Sequence, residues 1–325
     1  MYVEKKKIGK NAYNYLKVSV RVGNKVKTKT IAYLGKNPMS KEAIKSEIAK
    51  IPESKIKKIK EELKKEQADI NKEFLKENQL GGIEKIKKDF NKKIRSLDKK
   101  LIEDMFKDFK TFYIYNTNAI EGNTLTLEET NLLLNENKSP EGKDLREIYD
   151  HINEKEAFDF ILKNKPDINC DSIIKLHSML LNKIDKRIER FRSHNVRVFG
   201  ASFETTQAEY VKSDMSILLR WYNKNKKRLH PLILATIFHE KFERIHPFYD
   251  GNGRTGRMLV NLILIKNNLP PLIIKNKERK EYYRVLSIGH KADLTKTDIN
   301  QYKPIVDFFY EKLTDTYQKI FSKWG

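Results

Sequence analysis

His246-Pro247-Phe248-Tyr249-Asp250-Gly251-Asn252-Gly253-Arg254-Thr255-Gly256-Arg257 is the stretch on which the reading of this chain turns. Twelve residues hold a titratable base (His246), a carboxylate (Asp250), a turn (Gly251, Asn252, Gly253) and two cations (Arg254, Arg257). The residues that follow, Met258 to Asn267, are strongly apolar. The pattern predicts a loop and then a buried helix, with the glycines at the helix entrance. Free N–H groups and the positive end of the dipole make such an entrance an anion site. Glycine lets the backbone approach a phosphate with no Cβ in the way. Two arginines supply forked donors for phosphate oxygens, and a carboxylate is a hard oxygen ligand of the kind Mg²⁺ takes. Imidazole exchanges its proton near neutral pH. The parts point together to phosphoryl or nucleotidyl transfer.

The stretch resembles the signature of the Fic family, His-x-Phe-x-(Asp/Glu)-Gly-Asn-Gly-Arg-x-x-Arg. His246, Phe248, Asp250, Gly251, Asn252, Gly253, Arg254 and Arg257 fill every fixed position. The bland alternative is a surface turn before a capped helix. The resemblance implies transfer of AMP from ATP to a protein hydroxyl. His246 would be the base that accepts the hydroxyl proton, and Asp250 would hold Mg²⁺ against the α and β phosphates. Gly251, Asn252 and Gly253 would form the anion hole, and Arg254 and Arg257 would grip the β and γ phosphates. Phe248 would anchor the loop in the core. The phosphate-transferring branch of the family carries lysine where Gly253 stands, so Gly253 favours nucleotidyl transfer.

Upstream, Thr117-Asn118-Ala119-Ile120-Glu121-Gly122-Asn123 resembles the (Ser/Thr)-x-x-x-Glu-(Gly/Asn) pattern of the Fic inhibitory helix. Thr117 and Glu121 are four apart, on one helix face, and Gly122-Asn123 is a helix stop. Alone, a glutamate before a glycine is usually a solvated helix end. Beside the full motif it implies autoinhibition, with Glu121 competing for Arg257.

Arg190-Phe191-Arg192 and Val196 to Gly200 alternate as a short strand does. In the family a β-hairpin flap here clamps the target by strand addition, which would bring Phe199 and Gly200 to the site. Tyr282-Tyr283-Arg284-Val285-Leu286 resembles the segment lining the nucleotide base. A tyrosine there stacks on adenine, or, at helical spacing, Tyr282 and Leu286 are core. His290 stands where some relatives have asparagine beside the base. His239, on an apolar segment, reads as a packed structural histidine. His177 and His194 have no partner at metal-ligand spacing, and a single Cys170 excludes a disulfide frame or a zinc cluster.

The chain has 325 residues, long enough for one large domain and a smaller one. It shows neither an N-terminal apolar leader nor an apolar run approaching a membrane span, so the expectation is a cytoplasmic protein without membrane contact. Net charge is +22. Residues 1–100 hold 29 Lys or Arg against 13 Asp or Glu, a net +16, which leaves +6 for the remaining 225. Nucleic acid binding explains that asymmetry, and so does a lysine-biased or thermophilic composition. Ala12 to Leu34 alternates around Gly23-Asn24 as a β-hairpin, loosely similar to one in some transposases. Residues 40 to 100 read as basic helices broken at Ile51-Pro52 and at Gly81-Gly82, a helical hairpin or an oligomerisation arm, the latter implying a homodimer.

The expectation is a mainly α protein: an N-terminal β-hairpin (1–36), a basic helical extension (37–100), and a Fic-fold bundle with a β-hairpin flap (101–325) whose inhibitory helix spans about 112–122. Its expected activity is adenylyl transfer from ATP, with Mg²⁺, to a Ser, Thr or Tyr hydroxyl of a target docked along the flap and to itself. The alternatives are removal of AMP, with Glu121 orienting water, and a nucleic-acid-binding regulator acting through residues 1–100.

Overall fold

The computed structural model describes residues 1–9, 11–22, 25–196 and 205–324. The chain is mainly α-helical and divides into two units, Met1–Glu73 and Phe74–Gly325. No helix among the described residues is long and apolar enough to cross a membrane.

The first unit is a three-stranded antiparallel sheet with two helices. Strands β1 (Tyr2–Ile8), β2 (Asn11–Val22) and β3 (Lys25–Lys36) lie in the order β1-β2-β3, with Val18 opposite Lys29 and Leu16 opposite Ala32. Leu16, Val18, Ile31 and Leu34 are buried, and Ile44, Ile48, Ile56 and Ile59 of α1 (Lys41–Ala49) and α2 (Glu53–Phe74) pack on them. The turn residues Gly23 and Asn24 lie outside the described residues. Strand β1 goes beyond the expected hairpin. Its run Glu4-Lys5-Lys6-Lys7 looks like a solvated tail, but charged side chains suit an edge strand, and Lys17 of β2 holds Glu4 at 2.5 Å.

In the second unit, α3 (Glu77–Ser96) runs straight through Gly81-Gly82, against the expected break. Two glycines cost a helix about 1 kcal/mol each. Burial of Ile83 and of Phe90, whose ring meets Phe321 edge-on at 5.2 Å, offsets that. The chain turns instead at Leu75-Lys76, and the expected break at Ile51-Pro52 does separate α1 from α2. Helix α4 (Lys99–Ile120) starts at Asp98, whose carboxylate accepts the Leu101 N–H. Helices α5 (Leu127–Glu136), α6 (Leu145–Asn164), α7 (Cys170–Leu180) and α8 (Val211–Asn225) follow. The core is α9 (Pro231–Ile245) against α10 (Asn252–Lys266), wrapped by α4, α6, α7, α8, α11 (Arg279–Gly289) and α12 (Ile299–Lys319). Every residue from Leu232 to Glu243 and from Arg254 to Ile265 is buried, as expected of helices packed on all sides. That rigid pair fixes the ends of the loop between them, residues 246–251.

Candidate active site

His246 closes α9 in the left-handed conformation (φ 52°), with its N–H on the Phe242 carbonyl at 2.9 Å. A non-glycine residue there needs support. The buried Arg192 supplies it, donating to the carbonyls of His246 (2.8 Å), His194 (3.0 Å), Thr206 and Ile245 (3.4 Å). The guanidinium sits at the C-terminus of α9, where a cation is favoured. Burial depresses the His246 imidazole to about 4, partly opposed by the Glu243 backbone carbonyl. At neutral pH the ring is therefore uncharged and keeps a lone pair for a proton.

The loop is braced from inside. Asn252 Oδ1 accepts the Phe248 N–H at 2.9 Å while its Nδ2 donates to the Phe248 carbonyl at 3.0 Å. Phe248 is fully buried and stacks on His177, centroids 3.6 Å apart and planes within 4°. His177 Nε2 lies 3.0 Å from the Asp250 carbonyl. Gly251 has φ 73°, and a Cβ there would meet Leu181 Cδ2 at 2.4 Å. No side chain caps the start of α10, so its first N–H groups face the site as an anion-binding end.

Two arginines of α10 lie just beyond. Arg254 is buried and paired with Asp150 of α6. Arg257 donates through Nε to Thr117 Oγ1 (2.8 Å), and through Nη2 to the Thr117 carbonyl (3.0 Å) and to Glu121 Oε1 (2.7 Å). Burial opposes the Arg257 charge, but the Glu121 carboxylate together with Tyr282 and Tyr283 outweighs it and holds the pKa well above the ordinary value. Thr117 and Glu121 stand on the last turn and at the C-terminal cap of α4. Residues 136 positions apart in sequence thus touch. Gly253 matters here in a second way: a Cβ at that position would lie 2.3 Å from Glu121 Oε1.

Asp250 shows a partly exposed carboxylate. Burial would raise it, but Arg254, the Gly251 N–H (2.6 Å to Oδ1) and Arg146 keep it below the usual carboxylate range. One ionised oxygen ligand fits a Mg²⁺ ion that draws its remaining ligands from water and phosphate. Two buried acids stand behind the arginines. Glu154, which accepts the Tyr113 hydroxyl at 3.1 Å, is raised by burial to about 7, and Glu243 to about 8.

The remaining expectations fall out unevenly. Tyr282 is buried, with its hydroxyl 2.6 Å from His239 Nε2 and its ring 6.0 Å from the Arg257 guanidinium. His239 is a packed core residue that burial depresses to about 3. Tyr283 is 41% exposed, and Arg279 lies over its ring. His290 is committed to buried Glu240 at 2.7 Å. Phe199 and Gly200 lie outside the described residues. Arg190 to Val196 form no strand; Arg192 N–H bonds the Pro247 carbonyl and Ser193 N–H the Tyr249 hydroxyl, both at 2.9 Å. Sequence reading missed Asp150 and the bracing roles of His177, which it set aside for lack of a metal-ligand partner, and of Arg192, which it placed on the flap. None stands in a motif, and only folding gives each its partner.

Residues 167–264 match the family model Fic/DOC. Protein adenylyltransferase fic-1 of Caenorhabditis elegans is 34% identical over 196 residues, 58% of this chain and 38% of that protein. Protein adenylyltransferase Fic of Nematostella vectensis is 33% identical over 187 residues, 56% of this chain and 44% of that protein. The chain therefore spans less than half the length of these relatives. Among solved structures, a Fic domain containing signaling protein from Bacteroides thetaiotaomicron aligns with TM-score 0.67 and 25% identity, covering 73% of this chain and 95% of that one. Fic-1 from C. elegans aligns at 0.65 and 27%, covering 81% and 75%. With the motif intact and the fold shared, the chain contains a domain of the Fic/DOC family.

Proposed function

We propose that this chain is a protein adenylyltransferase, transferring AMP from ATP to a protein hydroxyl and to itself, and that Glu121 holds its activity low. The observation that carries the proposal is the meeting of Arg257 with Glu121 at 2.7 Å at the mouth of a loop that also presents a neutral His246 and an ionised Asp250. The α10 N–H groups, Arg254 and Arg257 bind the phosphates. His246 takes the proton of a Ser, Thr or Tyr hydroxyl as its oxygen attacks the α phosphorus and pyrophosphate leaves. Asp250 is the protein's ligand for Mg²⁺, which neutralises phosphate charge when bound. Positioning and charge stabilisation supply the rate. While Glu121 occupies Arg257, the γ phosphate lacks its cation and the α phosphate is not presented for attack.

The relatives' names support adenylyl transfer, and Gly253 supports it over phosphate transfer. A cytosolic setting belongs to the same reading, in keeping with the free Cys170. Nothing among the described residues supports a homodimer or nucleic acid binding through residues 1–100, and neither is part of the proposal. The test is incubation of wild type and Glu121→Gly with isotopically labelled ATP, followed by mass spectrometry for AMP on the chain and on candidate proteins. An AMP adduct that His246→Ala abolishes is expected. Its absence from Glu121→Gly, with ATP shown to bind, would overturn the assignment.

A further inference from the structure

Both oxygens of the Asp250 carboxylate are already engaged: Oδ1 accepts the Gly251 N–H at 2.6 Å, and Oδ2 is held by the guanidinium of Arg146. Arg146 stands in the first turn of α6, which does three jobs within a turn and a half. Glu147 accepts the Thr124 N–H at 2.7 Å through Oε1 and the Asn123 amide at 3.1 Å through its carbonyl, so it fixes the chain just after Glu121. Asp150 pairs with Arg254. Arg146 covers the one oxygen of Asp250 that its own loop leaves open to a cation.

We infer that Arg146 is a further residue of the nucleotide site, one that occupies the Asp250 carboxylate and so sets how tightly the site takes a divalent cation. The inference rests on the reading of Asp250 as the metal ligand. A divalent cation needs the Oδ2 lone pairs, and it repels a guanidinium at contact distance. Binding therefore exchanges one cationic partner of Asp250 for another. The Arg146 side chain is 59% exposed and can swing into solvent, so the exchange asks for no rearrangement of α6. Arg146 also acts without the cation, because it masks a carboxylate that would otherwise repel nucleotide phosphates.

The test is calorimetric titration of the full chain with a non-hydrolysable ATP analogue, in Mg²⁺ and in EDTA, for wild type, Arg146→Ala, Arg146→Lys and Asp250→Asn. A partly exposed ion pair is modest in strength, so Arg146→Ala should raise the ratio of the two affinities about two- to fivefold. Part of the rise should come from weaker binding in EDTA. Arg146→Lys, which keeps a competing charge without the fork, should fall between, and the melting temperature should drop by no more than about 1–4 °C. A ratio unchanged or lowered in Arg146→Ala overturns the proposal. If Asp250→Asn keeps the wild-type ratio, the ligand assignment fails first and the proposal fails with it.

Discussion

Replacing Glu121 with glycine removes one carboxylate from the Arg257 guanidinium and little else. The pair is a charged hydrogen bond of 2.7 Å between an arginine 4% exposed and a glutamate 36% exposed. A hydrogen bond to a charged group contributes about 1.5–3 kcal/mol when dry. The solvent at Glu121 screens it toward about 1–2 kcal/mol. If the pair closes the γ-phosphate site, that energy sets the closed fraction, and losing it should raise self-modification about five- to thirtyfold. Arg257 should stay oriented after the change, because its bonds to Thr117 Oγ1 (2.8 Å) and the Thr117 carbonyl (3.0 Å) do not involve Glu121. The assay is incorporation of label from α-labelled ATP into the purified chain, single-turnover, at saturating nucleotide. Glu121→Gly combined with Arg257→Ala should show no gain, since the released cation is then missing. An unchanged rate in Glu121→Gly, or an equal gain in the double variant, would refute the reasoning and leave Glu121 a helix-end glutamate.

Four further outcomes follow from the geometry. In the Glu121→Gly background, His246→Ala should slow transfer by about 10²–10⁴ while nucleotide affinity, read by calorimetry, barely changes. Because burial holds His246 at about 4, its ionisation should cost almost no rate between about pH 7.5 and about pH 5.5, where an ordinary imidazole would lose about tenfold; a fall with midpoint near 6.5 would contradict this. Arg192→Lys cannot serve the four carbonyls gathered on one guanidinium, so chemical denaturation should show a loss of at least about 2 kcal/mol, with transfer lowered as His246 leaves its left-handed backbone; native stability would contradict the bracing role. Glu243 is raised to about 8 in the folded protein from an ordinary 4.5, so the folded chain holds a proton that the unfolded chain lacks between those values. Stability should therefore fall as pH rises from about 4.5 to about 8, and Glu243→Gln should flatten that fall in melting-temperature profiles; an unaltered slope would place the charge elsewhere.

How the site comes together explains why sequence carried it only part of the way. The glycine turn and the helix after it are local, and their spacing alone predicts them; the Asn252 brace is local too, but the sequence pointed to Asn252 only as part of an anion hole. Arg192, Asp150, His177 and Arg146 reach motif residues over separations of 54 to 104 positions, in pairings no period or motif announces. Gly81-Gly82 shows the converse. A strong local breaker was overruled by packing, since Ile83 and Phe90 bury enough surface to keep α3 continuous.

By itself the sequence determined the chemistry available: a base, a hard oxygen ligand and two arginines at a helix entrance, with a glutamate far upstream at the end of a helix that the following Gly122 stops. Those residue types at those spacings carry their meaning in any fold that keeps the loop–helix unit, because dipoles, donors and backbone freedom are properties of a few adjacent residues. Only the tertiary structure decided protonation and pairing. His246 is neutral because it is buried, and Arg257 is engaged because α4 ends against α10. Desolvation and contact depend on what the rest of the chain brings within a few ångströms, and no single segment encodes that.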